Sequence, residues 1–206
     1  MTKIRINEIF WSAQGEGARK GFPSIFVRVA GCSLRCEYCD SKSSWDEGEF
    51  LTEDEIVAKI DSLMKKYPHS QVVFTGGEPL EHNIEGVAEK LKNKNYFLAV
   101  ETSGIINSDI NFNWWAVSPK DVCDFKIAEG IRNKISELKL IVNNNLNIER
   151  IKKITAGLKN IPVYLQPEFF DPDRYEKTFK LYQSCVSEGL INIMIGDQLH
   201  RHYKIR

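Results

Sequence analysis

The stretch GCSLRCEYCDSKSSW, from Gly31 to Trp45, contains three of the five cysteines of the chain. Disulfide frameworks of secreted proteins usually carry an even number of cysteines spread along the chain. The crowded Cys-x-x-x-Cys-x-x-Cys spacing is instead typical of metal ligation in a reducing compartment. The two remaining cysteines, Cys123 and Cys185, stand alone, and we expect them to behave as small buried hydrophobic residues.

Two kinds of centre fit three neighbouring thiols. A structural zinc site needs a fourth ligand, which would be Asp40, a distant histidine or Cys123. An iron–sulfur cluster is completed by four thiolates, so with three of them one iron keeps an open coordination position. An open position on a redox-active cluster can bind and reduce a ligand. The spacing favours the cluster and leaves zinc as the alternative.

Segments on both sides of the triplet predict strands that alternate with helices. Residues 51–67 form an amphipathic helix in which Thr52 and Glu55 make a capping box. Other helices are predicted over 84–94, 146–160 and 174–189, and strands over 4–10, 24–30, 71–74, 96–102, 114–117, 137–142, 162–168 and 191–196. This alternation predicts an α/β fold with a mainly parallel sheet, either doubly wound or an incomplete (β/α) barrel.

Unusual polar segments come at the carboxyl ends of five of the predicted strands or directly after them. They are GCSLRC, GGEP, ETSG, SPK and QPE. In barrels of parallel strands, the active site gathers at the carboxyl ends of several strands. The repeated placement therefore favours the incomplete barrel, and we expect residues 1–206 to form a single domain of this kind.

The composition predicts an ordinary globular protein. The chain has 206 residues, of which 42% are hydrophobic and 27% are charged. It carries 28 basic and 28 acidic residues, a balance that gives no support to direct binding of nucleic acid or membranes. The opening MTKIRINEIFW lacks the apolar segment of a signal peptide, so we expect a cytoplasmic protein.

The cysteine triplet with Tyr38, together with Thr75-Gly76-Gly77-Glu78-Pro79, resembles the radical S-adenosylmethionine (SAM) superfamily. The resemblance implies a [4Fe–4S] cluster whose open iron chelates the methionine part of SAM. An electron from the cluster then cleaves the sulfonium, and the 5′-deoxyadenosyl radical abstracts a hydrogen atom from the substrate. In this context we expect the two glycines to remove side chains where the backbone approaches a ligand.

Further motifs resemble one family of this superfamily, the 7-carboxy-7-deazaguanine synthases. They are Gln14-Gly15-Glu16-Gly17, Phe26-Val27-Arg28, Cys39-Asp40-Ser41, Glu101-Thr102, Ser118-Pro119-Lys120, Leu165-Gln166-Pro167 and Gln198-Leu199-His200-Arg201. This family is a group of lyases that convert 6-carboxy-5,6,7,8-tetrahydropterin to 7-carboxy-7-deazaguanine with loss of ammonia. The product feeds queuosine and other deazaguanine modifications.

The pterin would be bound through its two unlike ends. Its guanidine-like edge can pair with Gln14 and Glu16, and its carboxylate fits the fork of Arg28, unless that side chain only points to solvent. For the tail residues His200 and Arg206 the alternative is that they make no contact with the substrate, because lone histidines and chain ends commonly have no part in binding. The resemblance implies a substrate site made of Ala13, Gln14, Gly15, Glu16, Arg28, Thr75, His200 and Arg206.

The cluster ligands implied by the resemblance are Cys32, Cys36 and Cys39, which we also assign as the catalytic residues. Residues expected at bound SAM are Tyr38, Cys39, Asp40, Gly77, Glu78, Glu101, Ser118, Pro119, Lys120, Gln166, Pro167, Glu168 and Phe169. Magnesium is expected at Ser41, where the family usually has threonine. Serine keeps the oxygen that magnesium prefers but has a less restricted rotamer.

The remaining expectations concern partners. The resemblance implies a homodimer that takes its electrons from an external donor such as flavodoxin.

Two alternative functions are a small activase that places a glycyl radical on a protein partner, and a non-catalytic zinc-binding module. The segment Gln14–Gly17 and the Cys-Asp-Ser step argue against the activase, and a zinc module leaves the polar strand ends unexplained.

Overall fold

The computed structural model describes residues 3–158 and 160–205, which form one nine-stranded sheet flanked by helices. The strands are β1 (Lys3–Ala13), β2 (Pro23–Val29), β3 (Glu49–Thr52), β4 (Gln71–Gly76), β5 (Leu98–Thr102), β6 (Trp114–Val117), β7 (Glu137–Val142), β8 (Val163–Pro167) and β9 (Ile193–Ile195). The helices are α1 (Glu53–Lys66), α2 (Glu85–Lys92), α3 (Ile148–Thr155), α4 (Arg174–Ser187) and α5 (Leu199–His202).

The sheet is mixed, mainly parallel and open. Its strand order is β3-β1-β2-β4-β5-β6-β7-β8-β9. Strand β1 runs antiparallel to β2 and β3, and every other neighbouring pair is parallel. The edges β3 and β9 do not pair with each other, so the sheet does not close. The predicted α/β fold with a mainly parallel, incomplete barrel is confirmed.

Strand β3 and the short helix α5 are elements that the sequence did not predict. Leu51 and Thr52, expected at the start of a helix, instead pair with Ile4 and Lys3 of β1. Helix α1 begins at Glu53 and keeps the predicted capping box, in which the Thr52 side chain accepts from the Glu55 amide. The reciprocal bond runs from the Thr52 amide to the Glu55 carboxylate. The cap thus forms as predicted and also ends the added strand.

Helix α3 is shorter than predicted. The expected helix extended to residue 160, but the helix ends at Thr155. Gly157 then adopts a left-handed conformation with φ of 79°, a geometry that favours glycine and is typical of a helix C-terminus. The other predicted helices match the structure within a few residues.

One face of the sheet packs against the helices and forms the main hydrophobic core. Alternate strand residues point to this face, because side chains along a strand alternate between the two sides. Fully buried examples are Ile25, Val72, Phe74, Leu98, Val100, Leu138, Leu140 and Leu165. Burial of each such side chain contributes about 1.5–3 kcal/mol to folding. Cys185 on α4 belongs to this core, as predicted.

The opposite face is apolar at one end and polar at the other. Phe10, Phe26, Val73 and Ala99 form a small second cluster on this face. Toward the carboxyl ends of the strands, polar and charged side chains replace the apolar ones, and a cavity opens there. In the described part of the chain, no helix is both long and apolar enough to span a bilayer.

Candidate active site

A cavity of about 400 Å³ lies at the carboxyl ends of the parallel strands. Almost every predicted site residue within the described ranges lines it, from Ala13 on β1 to His200 on α5. The exception is Pro119, which is buried beside the cavity without lining it. Arg206 lies outside the described residues, so its predicted role stays a prediction. The structure therefore brings the polar strand ends together as the sequence predicted.

The cysteine loop is held in its conformation by backbone hydrogen bonds and by one ion pair between two of its side chains. The Gly31 amide donates to the Ser44 carbonyl at 2.7 Å, and the Cys39 amide donates to the Cys36 carbonyl at 3.0 Å. The Arg35 guanidinium makes two bonds to the Asp46 carboxylate, at 2.6 and 3.1 Å. These contacts close the loop into a compact turn at the end of β2.

The three thiols of this loop line the cavity, and among the described residues no fourth cysteine does so. Burial raises the pKa of the Cys32 and Cys36 thiols, and Lys120 partly opposes the shift at Cys36. Cys123 is half-buried and donates its thiol hydrogen to the Lys120 carbonyl at 3.1 Å. This donor set fits a cluster with three cysteine ligands better than a closed four-ligand zinc site.

The two glycines at the end of β4 are needed where this strand meets the end of β2, and their expected role at a ligand stays a prediction. A Cβ at Gly77 would overlap the Gly31 carbonyl, and a Cβ at Gly76 would overlap the Val29 carbonyl. The Gly77 amide donates to Val29 at 3.0 Å, and the Glu78 amide donates to Gly31 at 2.9 Å. The glycines therefore let two strand ends approach each other, which ties this segment directly to the cysteine loop.

Glu78 lines the cavity, but its carboxylate is largely used within the protein. It is 1% exposed and accepts from the Thr102 hydroxyl at 2.6 Å and from the Ser103 amide at 2.8 Å. The Ser103 hydroxyl and the Leu80 amide also donate to it. Its side chain therefore fastens the end of β4 to the end of β5.

Tyr38 connects the cysteine loop to the far side of the cavity. Its hydroxyl donates to Asp121 at 2.6 Å, and burial together with this bond raises the pKa of the phenol. Asp121 also accepts from Asn143 at 2.9 Å and from Asn145 at 2.6 Å. The ring of Tyr38 is thus held in place by an anchor that the sequence did not reveal.

A group of charged and polar residues forms one wall of the cavity, and we call it the acceptor wall. It consists of Gln14, Glu16, Thr75, Glu101 and Lys139. Lys139 donates to Glu16 at 2.8 Å and to Glu101 at 2.9 Å. Glu101 also accepts from Gln14 at 3.1 Å and from Thr75 at 2.9 Å. Glu101, predicted at SAM, is therefore in contact with the residues predicted to bind the pterin.

Charges in the acceptor wall stabilise one another. Burial lowers the pKa of the Lys139 ammonium, but Glu101, Glu16 and the deeper Glu137 more than offset it, so the net shift is upward. For the Glu16 carboxyl, burial acts to raise the pKa, and the attraction of Lys139 brings it below its ordinary value. Both groups are therefore charged at neutral pH, although Lys139 is buried and Glu16 is half-buried.

Arg28 and Ser41 lie next to each other at another part of the cavity. Arg28 Nε donates to Glu8 at 2.9 Å, and its Nη1 donates to Ser41 Oγ at 2.9 Å. Ser41 Oγ is also 3.2 Å from the Asp40 carboxylate. Arg28 lines the cavity rather than pointing only to solvent. The two bonds use Nε and Nη1 of its guanidinium, and Nη2 takes no part in them.

The C-terminal segment covers the loop between β1 and β2. The Leu199 amide donates to the Gly15 carbonyl at 2.9 Å, and a Cβ on Gly15 would overlap the His200 ring. Gln198 donates to Glu16 at 2.8 Å, and Arg201 lies 3.6 Å from Asp40 and 3.9 Å from the centre of the Phe169 ring. His200 is thus held in the cavity lining by packing against a glycine.

Ligating atoms of Glu16, Asp40 and His200 lie within 4.8 Å of one another. Both carboxylates already have other partners, since Lys139 and Gln198 donate to Glu16 and Arg201 pairs with Asp40. These contacts explain why the three side chains lie close together without a metal ion between them.

Gln166, at the end of β8, has a side-chain amide with no partner among the described residues. Both its Oε1 and its Nε2 are buried and make no hydrogen bond, and the residue is 4% exposed and lines the cavity. Leaving such a buried amide unpaired costs free energy. A ligand with a donor and an acceptor would satisfy it, which fits the nucleoside part of SAM. Burial also raises the pKa of the neighbouring Glu168.

Sequence reasoning missed Lys139 and Asp121. A signal was present for Lys139, because it is the one lysine within the otherwise apolar strand segment LKLIV. Asp121 directly follows the predicted Ser-Pro-Lys segment, but nothing in its sequence context indicated Tyr38 as its partner. Both roles depend on residues that are distant in the sequence.

Comparisons with known proteins agree with this geometry. The profile of the radical SAM superfamily matches residues 26–180. The 7-carboxy-7-deazaguanine synthase of Aquifex aeolicus is 30% identical over 100% of this chain and 95% of its own length. That of Synechocystis is 34% identical over 84% of this chain and 82% of its own. The crystal structure of QueE from Escherichia coli superposes with a TM-score of 0.78 at 26% identity, covering 95% of this chain and 94% of that one.

Proposed function

Because the chain belongs to the radical SAM superfamily and, within it, to the 7-carboxy-7-deazaguanine synthase family, we propose that it acts on 6-carboxy-5,6,7,8-tetrahydropterin. The reaction is a radical-mediated ring contraction to 7-carboxy-7-deazaguanine with loss of ammonia, and the enzyme is a carbon–nitrogen lyase. The product would enter the synthesis of queuosine and other deazaguanines.

One observation carries this proposal: three thiols and the acceptor wall face the same cavity. A cluster site alone is common to the whole superfamily. The carboxylates of Glu16 and Glu101 offer acceptors for the amino and ring N–H groups of a guanidine-like edge. Arg28, at another part of the cavity, offers a cation for a carboxylate. A carboxypterin carries both of these groups on one rigid ring system.

The cluster and SAM would occupy the half of the cavity that contains the cysteine loop. Cys32, Cys36 and Cys39 would hold the cluster, and the unpaired amide of Gln166 would pair with SAM. Supporting contacts are expected from Tyr38, Asp40, Gly77, Ser118, Lys120, Pro167, Glu168 and Phe169. When bound, these groups would supply one-electron reduction and hydrogen abstraction, and the protein would position the pterin and exclude water.

Magnesium is part of the proposal. Ser41 Oγ and the adjacent Asp40 carboxylate are hard oxygen donors of the kind that magnesium prefers. An ion on Ser41 would have to displace the hydrogen bond from Arg28, because the guanidinium and the ion use the same oxygen. Arg28 would then be released to meet the carboxylate of the substrate.

The remaining parts of the proposal concern the setting of the enzyme. We propose a single radical SAM domain over residues 1–206 and a cytoplasmic homodimer. An external one-electron donor such as flavodoxin would reduce the cluster. Direct binding of nucleic acid or membranes is not part of this function, since the substrate is a small molecule.

The function can be tested by incubating the reconstituted protein without oxygen with a reductant, SAM, magnesium and the carboxypterin. We expect a product whose mass equals that of the pterin minus ammonia, and Cys36→Ala should form none. A brown protein that cleaves SAM but leaves the pterin unchanged would refute the substrate. A colourless protein that binds zinc and no iron would refute the whole proposal.

A further inference from the structure

Lys139 is a buried cation whose side-chain hydrogen bonds, among the described residues, go to Glu16 and Glu101 and not to the cysteine loop. It is 6% exposed and lies in the middle of β7, between Leu138 and Leu140 of the hydrophobic core. Its ammonium contacts Glu16 from the loop after β1 and Glu101 from β5. One side chain thus joins three parts of the chain that are far apart in the sequence.

Both carboxylates bound by Lys139 keep part of their hydrogen-bonding capacity. Each carboxylate oxygen can accept two hydrogen bonds. Among the described residues, Glu101 Oε1 accepts two bonds, Glu101 Oε2 one, Glu16 Oε1 one and Glu16 Oε2 one. Acceptor positions therefore remain on both carboxylates, and both line the cavity.

We propose that Lys139 is a positioning residue that sets substrate specificity, because its ammonium holds Glu16 and Glu101 side by side as acceptors for an amino-substituted heterocycle. The inference rests on the proposed function, whose pterin substrate presents an amino group and ring N–H donors on one edge. A heterocycle with a carbonyl in place of that amino group would bring an acceptor against two acceptors.

The physical reason lies in the net charge of the acceptor wall. Two carboxylates and one ammonium leave one negative charge, which favours the donor-rich edge of a ligand. Without Lys139, two half-buried carboxylates would lie close together without a counter-charge, a situation that proteins relieve by protonation. A protonated carboxyl can donate as well as accept, so the preference for donors would be lost.

The test uses the reconstituted holoenzyme with SAM, without oxygen, and two ligands. One is 6-carboxytetrahydropterin and the other is its tetrahydrolumazine analogue, which has a carbonyl in place of the 2-amino group. Dissociation constants for both ligands and for SAM, the KM and kcat for the pterin, and the iron content are measured for wild type, Lys139→Met and Lys139→Arg. Lys59→Met removes an exposed lysine that is paired with Glu49 and serves as the matched control.

We expect Lys139→Met to bind the pterin at least about 30-fold more weakly, as for truncation of one partner of a buried charge pair. Its preference for the pterin over the lumazine should collapse, while SAM affinity and iron content stay at wild-type levels. Lys139→Arg keeps the charge and should recover part of the preference, and Lys59→Met should change nothing. Pterin affinity and preference within about twofold of wild type in Lys139→Met would overturn the inference.

A parallel loss of SAM and pterin affinity in Lys139→Met would also overturn it, since that would show a general structural role. If Lys139→Met does not fold, combining it with Glu101→Gln removes one of the two carboxylates left without a counter-charge and restores the net charge of −1 on the acceptor wall. This double variant should fold and bind the pterin weakly, and wild-type affinity in it would overturn the inference.

A wild-type protein that neither binds nor converts the pterin would refute the proposed function itself. Conversion of the pterin by the wild type, together with unaffected pterin binding in Lys139→Met, would refute only the role of Lys139.

Discussion

The two faces of the same sheet differ in what they do, and β7 shows this within three residues. Leu138 and Leu140 point to the helices and are completely buried, whereas Lys139 between them reaches into the acceptor wall. Strand β4 repeats the pattern, with Phe74 in the core and Thr75 bonded to Glu101. Because strand side chains alternate, one strand supplies stability on one side and binding on the other.

This comparison predicts that substitutions on the two faces fail in different ways. A change on the helix-covered face should lower the free energy of unfolding and leave ligand affinities nearly unchanged. A change in the cavity should lower ligand affinity and have a smaller effect on the free energy of unfolding. The four predictions below test this separation, beginning with the largest effect.

Cys36→Ala should abolish both iron binding and product formation, because two thiolates cannot hold the cluster in place of three. Iron and sulfide analysis together with visible absorbance after anaerobic reconstitution measures this. Cys185→Ala is the matched control on the helix-covered face. It should keep the iron and lose about 1 kcal/mol of unfolding free energy. Wild-type iron content and turnover in Cys36→Ala would contradict the assignment.

Phe74→Ala should lower the unfolding free energy by about 3–5 kcal/mol, as expected for a fully buried aromatic residue. Its neighbour Thr75→Val removes one hydrogen bond to Glu101 and should cost about 1 kcal/mol while weakening pterin binding. Denaturant unfolding and pterin titration of both variants provide the comparison. The reverse ranking of the two stabilities would show that the faces are not separated in this way.

Arg28→Ala should raise the KM for the pterin about tenfold or more, the loss expected for hydrogen bonds to a charged group. Cleavage of SAM without substrate should continue, because the side-chain hydrogen bonds of Arg28 go to Glu8 and Ser41 and not to the cysteines. Arg28→Lys should recover little, since lysine cannot present two parallel donors to a carboxylate. Steady-state kinetics with both variants measure the effect, and an unchanged KM in Arg28→Ala would limit Arg28 to its contacts with Glu8 and Ser41.

Ser41→Ala should have the smallest effect, a shift of the magnesium dependence to higher concentration. Only one of several oxygen ligands is lost, because magnesium usually retains waters. Ser41→Thr restores the oxygen with a more restricted rotamer and should shift the dependence in the opposite direction. Activity measured across a magnesium titration shows whether Ser41 is a ligand of the ion. Superimposable curves for the wild type, Ser41→Ala and Ser41→Thr would show that Ser41 is not part of the metal site.

Much of the site was predictable because it is encoded in local motifs. The cysteine triplet, the segment Thr75–Pro79 and the polar strand ends each stand out within a few residues, and the structure places them around one cavity. The role of Glu78 was not predictable in this way. Its motif indicated contact with SAM, which stays a prediction, and its carboxylate also bonds to Thr102 and Ser103 at the end of the next strand.

The sequence alone determined the alternation of strands and helices, the cap of α1 and the three-thiol loop, since these depend on periodicity and on neighbouring residues. Only the tertiary structure decided that Glu49–Thr52 forms a strand, because that segment gains its hydrogen bonds from β1. It also decided the partners of Lys139 and the reason for Gly77, which packs against the Gly31 carbonyl. Such features depend on which distant groups meet across the sheet, and sequence spacing does not carry that information.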